Sequence, residues 1–192
     1  MKTGIQALSF FNMLEEYLDI VDEKGNLTGE KELRSVCHEK GLWHQTVHIY
    51  FYRNNDGVIE LLPHLRSKYK SSHPNRWDTR FGGHVETGQS MNEAAEREVK
   101  EETGIKIEIN DLLRGLKRVY DGGANKEVTQ VYYYNFDDDL GRLTFDDGEV
   151  QEVRWMNFDE IEKEIIKNPE KWSGSVKGLQ LIKKDLLQKN PQ

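Results

Sequence analysis

The stretch that most constrains the fold of this chain is Gly82 to Ile105, GGHVETGQSMNEAAEREVKEETGI. It reads as a glycine turn running into one helix. Ser90 is a good N-cap, and Glu93 three residues later completes a capping box. Gly104 tolerates the left-handed conformation that ends helices, so the spacing predicts a helix over Met91 to Thr103. At roughly 100° per residue, Glu98 and Glu102 share the apolar face with Met91, Ala95 and Val99, and Glu101 flanks it. Glu93, Glu96 and Lys100 fall on the other side. Carboxylates at i, i+3 and i+4 repel one another, and in the last two turns the helix dipole disfavours them further. A solvated charged face would account for many glutamate-rich helices, but not for carboxylates beside the buried stripe. A hard divalent cation relieves both penalties, and Mg2+ or Mn2+ prefers clustered carboxylate oxygens.

The spacing G-x5-Q-x7-R-E-V-x-E-E-x-G-I runs from Gly83 through Gln89, Arg97, Glu98, Glu101, Glu102 and Gly104 to Ile105. It resembles the Nudix box, the signature of Mg2+-dependent hydrolases of nucleoside diphosphates linked to another moiety. The resemblance extends over residues 44 to about 165 and implies an α+β fold, a mixed sheet sandwiched between helices. Carried onto this chain, it makes Glu98, Glu101 and Glu102 the cation ligands, with the Gly82 carbonyl as a further one. Arg97 then orients the carboxylates. The general base is either Glu102 on the helix or an acid of a later loop, Glu149 or Glu152 before Trp155. Gln89 departs from the pattern, because the family carries glutamate there and pairs it with the box arginine. Glutamine can accept a hydrogen bond from Arg97 but not form the charge-assisted, bidentate version. The substitution is expected to retune the site. The alternative is a Nudix-fold nucleotide-binding module that has lost its chemistry.

Substrate phosphates need donors, and His64, Arg66, Lys68, Lys70 and Arg76 form a basic stretch ahead of the motif. Arg66 and Arg76 are the expected phosphate-binding residues, since a guanidinium fork can grip phosphate through two bonds. Tyr50, Tyr52, Tyr132 and Tyr134 could stack on a base or sugar, although strand tyrosines also pack cores. The run from Leu18 to Tyr52, followed by WDTRFGGHVETGQ, is similar to the Nudix branch related to isopentenyl-diphosphate isomerase. That enzyme needs a cysteine where this chain has Gly82, and it binds a metal through histidines. His38, His44 and His84 are the matching positions here, against the plainer reading of three separate hydrogen-bonded side chains.

Within 192 residues a single domain is expected, with residues 1–43 as an N-terminal extension, 44–165 as the core and 166–192 as a C-terminal helix. The net charge of −7 argues against a protein that coats nucleic acid. There is no apolar run of membrane-spanning length and no apolar core of a signal peptide near the N-terminus. Cys37 is the one cysteine, which rules out an internal disulfide or a cysteine zinc cluster and reads as a small buried hydrophobe. The expectation is a protein of the reducing cytoplasm. Residues 1–15 read as an amphipathic lead-in, with Leu8, Phe10, Phe11 and Leu14 packing on the body or on a second subunit of a homodimer. After it come a hairpin around Glu23 to Asn26, a short helix from Arg34 to Lys40, and a strand from Thr46 to Arg53 pairing with Val58 to His64. A short strand is expected at Ile105 to Ile109, then two longer ones at Leu113 to Tyr120 and Glu127 to Phe136. A last strand spans Glu149 to Met156, before helices at Asp159 to Lys167 and Ser175 to Gln188.

Overall fold

A computed structural model describes residues 16–70, 72–145 and 148–190. The expected lead-in at residues 1–15 lies outside them. The described chain opens with a hairpin, β1 (Tyr17–Val21) and β2 (Leu27–Leu33), followed by α1 (Arg34–Lys40). Next come β3 (Trp43–Asn55), β4 (Val58–Leu61), β5 (His64–Arg66) and β6 (Trp77–Asp78), then α2 (Met91–Thr103). β7 (Leu112–Asp121) and β8 (Lys126–Asn135) form the second long hairpin. β9 (Val150–Val153), β10 (Met156–Asn157), α3 (Phe158–Lys167) and α4 (Val176–Lys189) complete the chain.

The central sheet has the order β10-β4-β3-β8-β7, with β3 and β8 parallel and the other pairs antiparallel. β3 alternates as its sequence predicts. Val47, Ile49 and Phe51 point to one face, where they bury against Val85, Ala94, Ala95 and Val99 from α2 and its approach. Tyr50 and Tyr52 point to the other, into a second core with Ile161 and Ile165 of α3 and Leu179, Ile182 and Leu186 of α4. The mixed sheet is thus covered on both faces by helices, the α+β sandwich expected. Tyr50, Tyr52 and Tyr132 are core residues, as is Cys37 beneath the first hairpin.

Three expected strands are altered. Ile105 to Ile109 makes no strand, because the segment finds no ladder partner. Its alternation reflects Ile105 and Ile107 burying against the first core, and a 3-10 turn begins at Ile109, whose N–H donates to Glu96. Val58 to His64 ends its pairing with β3 at Leu61. Pro63 follows, lacking a donor, and His64 begins β5 in a separate sheet of order β6-β5-β9. Glu149 to Met156 likewise divides, β9 joining β5 and β10 joining β4. No helix among the described residues is long and apolar enough to cross a membrane.

Candidate metal and substrate site

The motif helix forms as its residues dictate. The Ser90 hydroxyl accepts from the Glu93 N–H, the Glu93 carboxylate accepts from the Ser90 N–H, and Gly104 closes the helix in the left-handed region at φ 71°. The approach to the helix is pinned to β3. Ile49 and Phe81 exchange two backbone hydrogen bonds, and the Val47 N–H donates to the Gly83 carbonyl at 2.9 Å. Gly82 sits at φ +131°, and a Cβ there would run into the Val47 carbonyl. A Cβ on Gly83 would collide with the Glu98 carboxylate. The two glycines therefore let the chain lie flat between the strand and the helix, leaving the Glu98 carboxylate a slot to occupy.

Two of the carboxylates meet the glycine strip, and Arg97 links the third to one of them. Glu98 is 8 % exposed, and Glu102 accepts from the Gly82 N–H at 2.7 Å. Arg97 lies 3.0 Å from Glu98 and 2.9 Å from Glu101, and donates to the His84 carbonyl at 2.9 Å. Burial, followed by the neighbouring charge of Glu102, pushes the Glu98 carboxyl up to about 8 despite Arg97. The side-chain donors here are all carboxylate oxygens, with Arg97 lying against two of the three. That is the environment a hard divalent cation fits, with Glu98, Glu101 and Glu102 as the side chains that would hold it.

Gln89 does not take the place expected beside Arg97. Its Oε1 accepts from the Glu86 N–H at 3.4 Å, closing the loop before the helix. The loop carboxylate near Arg97 is Glu86, 3.6 Å away. A charge lost at position 89 is therefore supplied three residues earlier, from the same loop. The remaining expected residues sit apart from this cluster. Arg66 donates to the Ser72 carbonyl through Nε and Nη2, and its Nη1 is 3.9 Å from Asp78, so its fork holds the 64–76 loop together. The Arg76 carbonyl accepts from the Arg66 N–H. Glu149 pairs with Lys70, and Glu152 is exposed on β9.

The reading of His38, His44 and His84 as separate side chains is corrected. Although they belong to α1, β3 and the glycine strip, their ring centroids stand 5.1 to 5.3 Å apart. Each offers a nitrogen within 4.8 Å of the others. The buried Nε2 atoms of His38 and His44 have no hydrogen-bond partner among the described residues. Burial and the neighbouring imidazoles bring His38 down to about 4, so it is neutral near pH 7, the form in which a ring nitrogen can ligate. His84 also meets Glu16, Nδ1 to Oε1 at 3.3 Å.

Sequence reasoning missed a cavity of about 670 Å3 on the sheet face opposite α2. His48 and Tyr50 of β3 and Thr129 of β8 contribute to its floor, and Trp172, Leu179 and Ile182 close its far wall. His84 lines it too, one residue from Gly83 and its contact with Glu98. Its size falls within the range of small-molecule sites. Only the outward alternation of β3, with His48 and Tyr50 on one face, hinted at it.

The geometry agrees with the comparisons. The NUDIX domain model matches residues 42–175. An uncharacterized Nudix hydrolase of Clostridium acetobutylicum is 33 % identical over 153 residues, covering 78 % of this chain and 73 % of that one. An isopentenyl-diphosphate Delta-isomerase of Aliivibrio fischeri is 26 % identical over 166 residues, covering 83 % of this chain and 90 % of that one. Among solved structures, a protein of Deinococcus radiodurans superposes with a TM-score of 0.67 at 22 % identity, covering 86 % of this chain and 98 % of that one. With the family model matching most of its length and its glycine strip and capped helix in place, the chain belongs to the Nudix family.

Proposed function

We propose that this protein hydrolyses one phosphoanhydride bond of a nucleoside diphosphate linked to another moiety, or of a related nucleotide, with Mg2+ or Mn2+ as cofactor. The observation that carries this reading is the Glu98 carboxylate buried in the slot at Gly83, with Glu102 held by the Gly82 N–H and Arg97 joining Glu98 to Glu101. When bound, the cation would neutralise phosphate charge and acidify an attacking water. Arg97 fixes the directions of Glu98 and Glu101, and the Gly82 N–H fixes Glu102. A carboxylate within reach of the water takes its proton as the P–O bond to the leaving phosphate breaks. Glu102 is the proposed base, with Glu149 and Glu152 as the rivals. The single buried cysteine fits a reducing, cytoplasmic setting.

The test is product release from a panel of nucleoside diphosphate conjugates and nucleotides, with Mg2+ and with chelator, for the wild type and for Glu101→Gln and Glu102→Gln. Turnover that needs metal and collapses in both variants supports the hydrolase and names its substrate class. Ligand binding without turnover on any compound replaces it with a binding module.

The histidine cluster favours a second reading, an isomerase of prenyl diphosphates. Glycine at position 82, where the isomerase has its cysteine, opposes it. Conversion of isopentenyl diphosphate to its isomer would decide for this second reading.

A further inference from the structure

The cavity is a basic place in an acidic chain. Arg34, Arg80 and Arg118 line it, and Glu127 is the only acid among its described lining residues, whereas the whole chain carries −7. Arg34 is already paired with Glu16 at 3.1 Å. Arg80 is held differently. Asp78, 3 % exposed, stands between two arginines, with Arg66 Nη1 at 3.9 Å and Arg80 Nη1 at 3.7 Å. The Arg80 N–H donates to the Asp78 carboxylate at 3.2 Å, and its guanidinium lies against the Tyr50 hydroxyl. One carboxylate thus sets both forks. Arg66 turns to the 64–76 loop, and Arg80 turns to the cavity.

The sheet places Arg118 on the other flank. Phe81 pairs with Ile49 of β3, β3 lies beside β8, and Arg118 of β7 pairs with Thr129 of β8. Arg80 and Arg118 therefore stand on the two outer strips of one floor, with His48 and Thr129 between them. Three steps of about 4.8 Å separate those backbones by about 14 Å. Both arginines line the cavity that lies over this span. Both guanidinium charges bear on His48 and Tyr50, and the buried His48 Nδ1 has no hydrogen-bond partner among the described residues.

We propose that Arg80 and Arg118 form a phosphate grip across the floor of this cavity, with Asp78 as the positioning residue that aims Arg80. The ligand class is a diphosphate whose organic part lies toward the apolar wall of Ile165, Trp172, Leu179 and Ile182. This rests on the hydrolase reading for its substrate but not for its test.

The experiment titrates inorganic pyrophosphate by calorimetry, in chelator, into the wild type and into Arg80→Gln, Arg80→Lys and Arg118→Gln, with melting curves alongside. Charge-assisted, bidentate bonds set the expected loss at about tenfold or more for either glutamine variant. Arg80→Lys keeps the charge without the fork and falls between. Asp78→Asn weakens binding as well, yet the double variant Asp78→Asn/Arg80→Gln binds no more weakly than Arg80→Gln alone, which is non-additivity that a merely structural aspartate would not produce. Equal affinity in the wild type and in either folded glutamine variant overturns the grip, as does a wild type that fails to bind pyrophosphate. Turnover with unchanged KM in Arg80→Gln and Arg118→Gln sinks the grip and leaves the hydrolase standing. Weakened pyrophosphate binding in a protein with no turnover does the reverse.

Discussion

Neighbouring glycines in the strip before α2 have different jobs, and alanine at each should fail differently. At Gly83 the backbone is not in the left-handed region, so alanine brings no dihedral strain. Its Cβ would stand 2.8 Å from the Glu98 carboxyl carbon and 2.9 Å from Oε2. Carbon atoms rest at about 3.6 Å, so the carboxylate has to retreat by roughly 1 Å. A displacement of that size at a reacting centre lowers rates by about a hundredfold. At Gly82 the clash is with the Val47 carbonyl in the middle of β3, and φ +131° is a conformation that L side chains rarely adopt. Dihedral strain of about 1 to 3 kcal/mol adds to the disruption of strand pairing. Gly83→Ala should therefore melt within a few degrees of wild type, while its Mg2+ affinity falls and its Mg2+-dependent turnover falls about a hundredfold. Gly82→Ala should lose stability first and activity with it. Urea unfolding and Mg2+ titrations on the same preparations read both quantities. A Gly83→Ala protein with wild-type metal affinity would refute the idea that this missing side chain makes room for Glu98.

Three more outcomes are expected. Glu98 sits at about 8 when folded against an ordinary 4.5, so the folded state holds the extra proton and metal-free stability falls as pH rises through that window. His38, lowered from 6.5 to about 4, works in the opposite direction below 6.5. The decline should thus show between 6.5 and about 8.5, amount to about 2 kcal/mol at about 1.4 kcal/mol per pH unit, and vanish in Glu98→Gln or saturating Mg2+. A flat urea-denaturation profile over that range would count against it. Since Glu86 already stands beside Arg97, Gln89→Glu should change Mg2+ affinity little, whereas Glu86→Gln should weaken it about two- to fivefold, as befits a partly exposed ion pair. Equal effects of the two in a metal titration would contradict this division. Cys37 is fully buried, and burial, then Glu32, pushes its thiol up, so a thiol reagent should modify it only after unfolding.

What the chain disclosed in advance was what neighbours in sequence decide. The caps of α2, the face shared by Glu98 and Glu102, the limits of α1 and the alternation of β3 all follow from residues a few positions apart. The strand expected at Ile105 failed because alternation reports burial on two sides and not the presence of a partner. The histidine cluster was suggested by the family resemblance and not by spacing, since its three segments are separate in sequence and β3 meets the glycine strip only in the fold. Arg66 and Arg80 were equally visible as letters. Which one faces the cavity depends on Asp78 lying between them, and composition carries no trace of that. Glu86 was overlooked because the motif directs the eye to position 89, while in space the loop can offer its charge from an earlier residue.

The parallel pairing of β3 with β8 has a bearing on how the protein comes to exist. Partners such as Thr46 and Thr129 are 83 residues apart, and the whole of α2 lies in the connection between them. Such closures raise contact order and slow folding. The glutamates present themselves on α2 early, as a local helix can, but the floor of the cavity forms only when this long loop shuts. The nascent chain therefore carries the glutamates of α2 for some time before the cavity exists. A fragment ending before β8 would contain the entire signature motif but lack Glu127, Thr129 and the far wall of the pocket.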